Sequence, residues 1–151
     1  MRFASVILAL VVTVGLHGQN LDHVSSYRIH GEKILFSTDN GQQYRLAGVK
    51  VISSDAPSCK SVEFTLRNEL DRHLTGVPTV MITTYGVGRD GILRATLGGD
   101  LTEDLLIKGL VVASTFGLPN SIGIRYRKYR ARAQWSKVGV WARCYWDSYS
   151  E

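Results

Sequence analysis

Seven basic side chains occur between residues 125 and 143 with no acidic residue among them. Arg125, Lys128 and Arg132 recur at the three- and four-residue spacing that aligns side chains along one side of a helix. Such a row of cations binds phosphates through charge and counterion release. The alternative is a solvated helix face whose interleaved aromatic residues belong to the core. The seven are Arg125, Arg127, Lys128, Arg130, Arg132, Lys137 and Arg143, and the aromatics are Tyr126, Tyr129, Trp135 and Trp141.

Another arginine suited to binding phosphate lies in the segment YRLAGVKVIS, residues 44–53. Its Arg45-Leu46-Ala47-Gly48-Val49 resembles the RLxGI segment of the staphylococcal nuclease-like (thermonuclease) family. Further segments resemble the same family, in the same order, over residues 26–141. These segments are His30-Gly31-Glu32-Lys33-Ile34, Gly99-Asp100-Leu101, residues 105–110, Tyr126 with Tyr129, Ala133-Gln134, and Gly139-Val140-Trp141.

The resemblance implies an α+β fold, a five-stranded β-barrel of the oligonucleotide-binding (OB) type with about three helices. It also implies metal-assisted hydrolysis of phosphodiester bonds. In that family a calcium ion, two arginines and a glutamate attend the in-line attack of water. Calcium needs carboxylate oxygens because a hard dication must replace its hydration shell. The glutamate activates the water, and the guanidinium groups neutralise charge that builds on the phosphate oxygens.

The acidic part of this machinery is poorly retained in the sequence. Arg45 matches the first family arginine, and Glu32 stands where one metal-binding aspartate is expected. Lys50 replaces the second aspartate, and Ser53 replaces the glutamate base, although a hydroxyl cannot accept a proton from water near neutral pH. The second family arginine falls on Ile92. The resemblance therefore implies a related fold in which hydrolysis is lost or weak.

A shifted alignment would restore some carboxylates. With five residues inserted, Asp55-Ala56-Pro57 takes the place of the metal-binding segment, and Glu32 remains a second calcium ligand. Ser58 then occupies the position of the base, so Glu63 on the following helix is the nearest substitute. The alternative is that Asp55-Ala56-Pro57 is an ordinary loop turn.

The arginines also leave alternatives open. Arg94 lies two residues beyond Ile92 and so faces the same side of a strand, where it would supply the second arginine. Arg89, in a glycine-rich turn, is a further candidate. Arg45 has a purely structural interpretation as well, in which it pairs with a carboxylate such as Glu32 and holds two strands in register.

Local patterns predict the elements that position these residues. Apolar residues at positions 62, 66, 70 and 74 recur every four residues, which predicts an amphipathic helix. Thr38-Asp39-Asn40-Gly41 predicts a hairpin turn. The predicted strands cover residues 27–35, 43–49, 77–85, 92–97 and 111–113. The predicted helices cover residues 61–74, 103–108 and about 125–137. Thr102 is the predicted cap of the second helix.

The ends of the chain and its two cysteines indicate the compartment. Residues 1–19, with Met1-Arg2 followed by an apolar run, are typical of a signal peptide. The alternative is an uncleaved membrane anchor, although the apolar run is shorter than the roughly 20 residues of a membrane-spanning helix. We expect one nuclease-like domain over residues 26–141 and a tail over residues 142–151. In an exported chain Cys59 and Cys144 are expected to form a disulfide.

Taken together, the residues favour an exported protein that binds nucleic acid or another polyanion. The formal net charge of +5 is consistent with such a partner. Two other functions remain open. One is an active secreted endonuclease that holds calcium through Glu32 and Asp55, with Glu63 as base beside Arg45. The other is an envelope or extracellular module that binds a protein.

Overall fold

The structure, a computed structural model, describes residues 18–52, 55–76, 79–98 and 101–144. This part of the chain contains eight strands and four helices. The strands are β1 (Gln19–Asp22), β2 (Val24–His30), β3 (Lys33–Thr38), β4 (Gln43–Leu46), β5 (Gly48–Lys50), β6 (Val80–Val87), β7 (Leu93–Leu97) and β8 (Val112–Ser114). The helices are α1 (Pro57–Leu74), α2 (Leu101–Ile107), α3 (Asn120–Trp135) and α4 (Val140–Arg143).

Six of these strands form one sheet in the order β1-β6-β7-β4-β3-β2. Strands β2, β3 and β4 make an antiparallel meander, and β6 and β7 make a hairpin. A parallel pairing of β4 with β7 joins the two units. Five strands connected in this way form a partly open OB-type barrel, with β1 added at the edge of β6. The α+β fold expected from the sequence is confirmed.

The chain reverses between β2 and β3, where a single strand over residues 27–35 was predicted, so that prediction was wrong. Gly31, at φ +56°, and Glu32 make the turn, and His30 pairs with Lys33 across it. Apolar residues occur on both sides of the turn, which hides the reversal. The glycine is its only local signal. The turn places Glu32 at one end of the barrel.

Helix α1 packs against the barrel through side chains at the predicted four-residue spacing. Val62, Leu66, Leu70 and Leu74 are buried in the main hydrophobic core. The helix begins at Pro57, four residues before the predicted start, because proline is readily accommodated in a first helical turn.

The C-terminal helices also differ in their bounds from the prediction. Helix α3 begins at Asn120, directly after Pro119, five residues before the predicted start. Helix α2 begins at Leu101, so Thr102 lies inside the helix and is buried, which makes its prediction as the cap wrong. The single turn of α4 was not predicted.

The ends of the described chain are tied to the body of the fold. Cys59 and Cys144 form the predicted disulfide, which joins the first turn of α1 to the residue after α4. Beside it, the Ser58 hydroxyl donates a hydrogen bond of 3.0 Å to the carbonyl of Arg143. At the other end, Gln19 begins β1. Most of the predicted leader and of the predicted tail, residues 1–17 and 145–151, lies outside the described residues.

No helix in the described ranges has the length and apolar character needed to cross a membrane.

Tyr27 connects β2 to α1 and should give the fold a specific sensitivity to alkali. Its hydroxyl donates to Asp71 Oδ1 at 2.6 Å and lies 3.1 Å from the carbonyl oxygen of Arg67. Burial, together with the hydrogen bond to Asp71, raises the pKa of Tyr27 from 10.0 to about 12. The phenol therefore keeps its proton to higher pH in the folded state than in the unfolded state.

The sign of the effect follows from this difference. Below pH 10 both states are protonated and the stabilisation is complete, whereas between pH 10 and 12 the unfolded chain ionises first and the free energy of unfolding falls. Urea unfolding of wild type and Tyr27→Phe across this range measures the effect. We expect a steeper fall in wild type than in the variant. Parallel curves would contradict the prediction.

Candidate functional site

Arg45 faces out of the barrel because side chains alternate along β4. Its neighbours Tyr44 and Leu46 are buried in the core, and Tyr44 stacks on Phe36 with ring centroids 5.3 Å apart. In the parallel pairing with β7, Arg45 lies opposite Arg94. Two arginines that are 49 positions apart in the chain therefore become neighbours on the outer surface of the sheet.

The two arginines line a cleft of about 690 Å³, called here the Arg45 cleft. Four cationic side chains line it against one carboxylate, so its local charge is strongly positive. The cations come from β3, β4, the β6–β7 turn and β7, and an exposed phenylalanine forms part of the rim. The charged residues are Lys33, Arg45, Arg89, Arg94 and Asp90, and the aromatic residue is Phe116.

Asp90 is the internal counter-ion of the Arg45 cleft. Its Oδ2 atom accepts a hydrogen bond of 2.6 Å from Lys33 Nζ and lies 3.7 Å from Arg45 Nη1. The hydrogen bond from Lys33, assisted by the backbone amide of Ile92, lowers the pKa of Asp90, so this carboxyl is ionised at neutral pH. The ion pair of Arg45 is therefore with Asp90, whereas sequence analysis had suggested Glu32.

Arg94 is the most constrained of the cleft arginines. Its Nη1 atom donates to the carbonyl of Phe116 at 2.9 Å, and its Nη2 atom donates to the carbonyl of Tyr85 at 3.2 Å. Its guanidinium lies 5.9 Å from the centroid of the Phe116 ring, and that of Arg89 lies 6.0 Å away. Arg94 thus holds the Phe116 loop against β6 while it lines the cleft. Ile92, which the resemblance aligns with the family arginine, lies just before β7.

The place of the expected metal site is occupied by an ion pair. Gly48, at φ +83°, turns the chain out of β4 and into β5, and β5 carries Lys50. The amide of Val51 donates to the carbonyl of Glu32 at 2.9 Å, which fixes β5 against the β2–β3 turn. Lys50 Nζ then lies 2.8 Å from Glu32 Oε1. An ammonium group at this distance from Glu32 does not fit the binding of a calcium ion between residues 32 and 50.

The carboxylates of the shifted alignment belong to separate local surroundings. Asp55 is exposed in a bend before α1, and Glu63 pairs with Arg67 one turn further along α1, at 2.8 Å. In the described ranges, no group of three or more histidine, cysteine, aspartate or glutamate side chains is arranged to hold a metal ion. Ser53, aligned with the general base, lies outside the described residues.

Helix α3 presents the predicted basic residues to solvent. Arg125, Lys128 and Arg132, called here the α3 basic stripe, are all exposed, whereas Tyr126 and Ala133 are buried against the barrel. Arg125 is partly neutralised, because its Nε atom lies 2.9 Å from Glu103 Oε1. In the described ranges, neither Lys128 nor Arg132 has a carboxylate partner within 4 Å.

The aromatic residues between positions 125 and 143 differ from one another in burial. One interpretation of the sequence had placed all of them in the core. Trp141 is buried, with the Arg130 guanidinium 5.5 Å from its ring centroid. Trp135 is 90% exposed at the end of α3, so the core interpretation was wrong for this residue.

Sequence reasoning missed three members of the Arg45 cleft. Lys33 was noted only as part of a resembling segment, and Asp90 and Phe116 were not singled out. A charged pair inside a turn flanked by glycines, Gly88-Arg89-Asp90-Gly91, was the available signal for Asp90. No local pattern pointed to Phe116, because its position depends on the hydrogen bond from Arg94.

No family model matches this chain, and no curated protein matches it. Among solved structures, the chain is similar to the extended Tudor domain of Drosophila melanogaster Tudor-SN (p100), with a TM-score of 0.56. The sequences are 14% identical, and the match covers 89% of this chain and 79% of that chain. Similarity at this level of identity establishes the fold alone, an OB fold of the staphylococcal nuclease-like type.

Proposed function

We propose that this protein is an exported, staphylococcal nuclease-like protein that binds nucleic acid through the Arg45 cleft and the α3 basic stripe without efficient metal-dependent hydrolysis. The observation that carries the proposal is the set of four cations around the Arg45 cleft with a single carboxylate among them. A phosphodiester supplies the anionic oxygens that such a set of guanidinium and ammonium groups binds best.

The Glu32–Lys50 ion pair supports binding over hydrolysis. In metal-assisted cleavage a cation polarises the phosphate and helps to generate the attacking hydroxide. Lys50 supplies a positive charge at this end of the barrel, but an ammonium group cannot activate water as a metal does. Because Lys50 lies beside Glu32, the protein keeps a positive charge that attracts phosphate. It lacks the metal site that hydrolysis needs.

Export is proposed from the leader-like residues 1–19 and from the Cys59–Cys144 disulfide. Disulfides persist in oxidising compartments and are rare in the cytosol, so the covalent link fits a secreted or extracytoplasmic protein. Export would place the protein where extracellular DNA and RNA are among the polyanions that it meets.

Binding of a labelled oligonucleotide, followed by fluorescence anisotropy with calcium or with a chelator, tests the proposal. We expect calcium to give no tighter binding than the chelator, no cleavage, and an affinity that falls on the order of tenfold or more between 50 and 200 mM salt. Calcium-dependent cleavage that Arg45→Ala abolishes would establish the endonuclease instead. Absence of binding at low salt would leave the protein-binding module.

The replacement Lys50→Asp should create a calcium response that the wild type lacks. The introduced carboxylate would face Glu32, and two neighbouring carboxylates repel each other unless a cation lies between them. We expect millimolar calcium to raise the thermal unfolding midpoint of Lys50→Asp and to leave wild type and Lys50→Ala unchanged. An equal rise in wild type would show that a calcium site exists despite Lys50.

A further inference from the structure

Trp135 extends the α3 basic stripe by one further position. Residues 125, 128, 132 and 135 follow the alternating three- and four-residue spacing of one helix face, so the indole lies in line with Lys128 and Arg132. An indole ring that is 90% exposed at the end of a row of cations has lost the hydrophobic stabilisation that burial gives. The exposed ring is therefore available to a ligand.

The surface beside Trp135 combines an aromatic face with a polar side chain at its edge. Ala131, Gln134, Trp135 and Lys137 line a pocket of about 460 Å³ at the end of α3. The indole offers a flat π surface, and the Gln134 amide offers both a donor and an acceptor to the edge of a base. Base stacking on aromatic side chains is a common mode of binding single strands.

Helix α3 begins beside the rim of the Arg45 cleft and ends at Trp135. Arg127 Nη1, in the second turn of α3, donates to Thr115 Oγ1 at 3.3 Å, and Thr115 directly precedes Phe116 on the rim of the cleft. From there α3 runs away from the cleft to Trp135. The distance from Arg125 to Trp135 is about 15 Å along the helix, the length of four or five stacked nucleotides.

Resting on the proposed function, we propose that the ligand is a single-stranded nucleic acid that leaves the Arg45 cleft along the α3 basic stripe and stacks a base on Trp135. Lys128 and Arg132 contact the phosphates between these two points. A duplex keeps its bases stacked on one another, so it offers no free base face to the indole except at its ends. Trp135 therefore distinguishes single strands from duplexes.

The test compares a thymidylate 12-mer, a thymidylate 3-mer that fills only the cleft, and an abasic 12-mer of equal charge. Trp135→Ala should weaken binding of the thymidylate 12-mer on the order of tenfold. It should leave the 3-mer and the abasic 12-mer unchanged. Trp135→Phe, which keeps an aromatic face, should restore most of the affinity.

The outcomes separate this inference from the proposed function. If the 3-mer and 12-mer bind wild type but Trp135→Ala changes neither, the stacking site is overturned and the proposed function stands. If neither oligonucleotide binds wild type, both fail. An equal loss for the abasic 12-mer or for a 12-base-pair duplex would overturn base stacking. Loss of a dimer in Trp135→Ala, seen by light scattering, would assign the indole to self-association.

Discussion

Reduction of the Cys59–Cys144 disulfide should lower the free energy of unfolding by about 4.5 kcal/mol. The bond closes a loop between residues separated by 85 positions, and a cross-link of that span restricts the unfolded chain strongly. The loss is comparable with the whole stability of a marginal domain, about 5–15 kcal/mol. Urea unfolding with and without a reductant at neutral pH measures it.

Three proteins isolate the contribution of the covalent bond. Reduced wild type keeps both sulfur atoms, whereas Cys59→Ala with Cys144→Ala also leaves a cavity at the buried Cys59 position. Ser58→Ala removes only the neighbouring hydrogen bond to Arg143 and should cost about 1 kcal/mol. A change below about 1 kcal/mol on reduction would show that the packing of α4 holds the C-terminal segment without the cross-link.

Replacing Arg45 with alanine should weaken oligonucleotide binding on the order of tenfold at low salt, because a charge-assisted hydrogen bond contributes about 1.5–3 kcal/mol. The fold should tolerate the change, since Asp90 retains its 2.6 Å hydrogen bond from Lys33. The slope of log affinity against log salt should also become shallower by about 0.7, the value for one phosphate contact with a single strand.

Matched variants test whether binding depends on where a positive charge lies or only on the net charge of the protein. Arg67→Ala removes the same charge from α1, away from the lining of the Arg45 cleft, and should leave affinity nearly unchanged. Asp90→Asn should strengthen binding, because it releases Lys33 and Arg45 from their internal anion. Equal losses in Arg45→Ala and Arg67→Ala would show that net charge governs binding.

Features set by local spacing could be predicted from the sequence. The four-residue repeat of α1 placed Val62, Leu66, Leu70 and Leu74 in the core, and the spacing of Arg125, Lys128 and Arg132 placed them on one exposed face. Both follow from the helical period. The replacement of a metal-binding aspartate by Lys50 could also be recognised, because the family that the sequence resembles carries an aspartate at this position.

Features set by contacts between distant segments could not be predicted in this way. Asp90 pairs with Lys33, 57 residues earlier, and the position of Phe116 depends on Arg94, 22 residues earlier. The exposure of Trp135 depends on which neighbours surround the end of α3. Spacing assigns a residue to a face of a helix, but it does not tell whether another element covers that face.

Because of the Asp90 carboxylate, the Arg45 cleft should prefer ligands that carry several negative charges. It is tethered beside Lys33 and Arg45, so a free anion must compete with a group whose effective concentration is about millimolar or more. A monovalent anion would replace the Asp90 carboxylate with a single negative charge of the same size, so its binding would be only weakly favourable. A chain of linked phosphates compensates for displacing Asp90 through its contacts with the remaining cations, so the cleft favours polymers over the small anions of its surroundings.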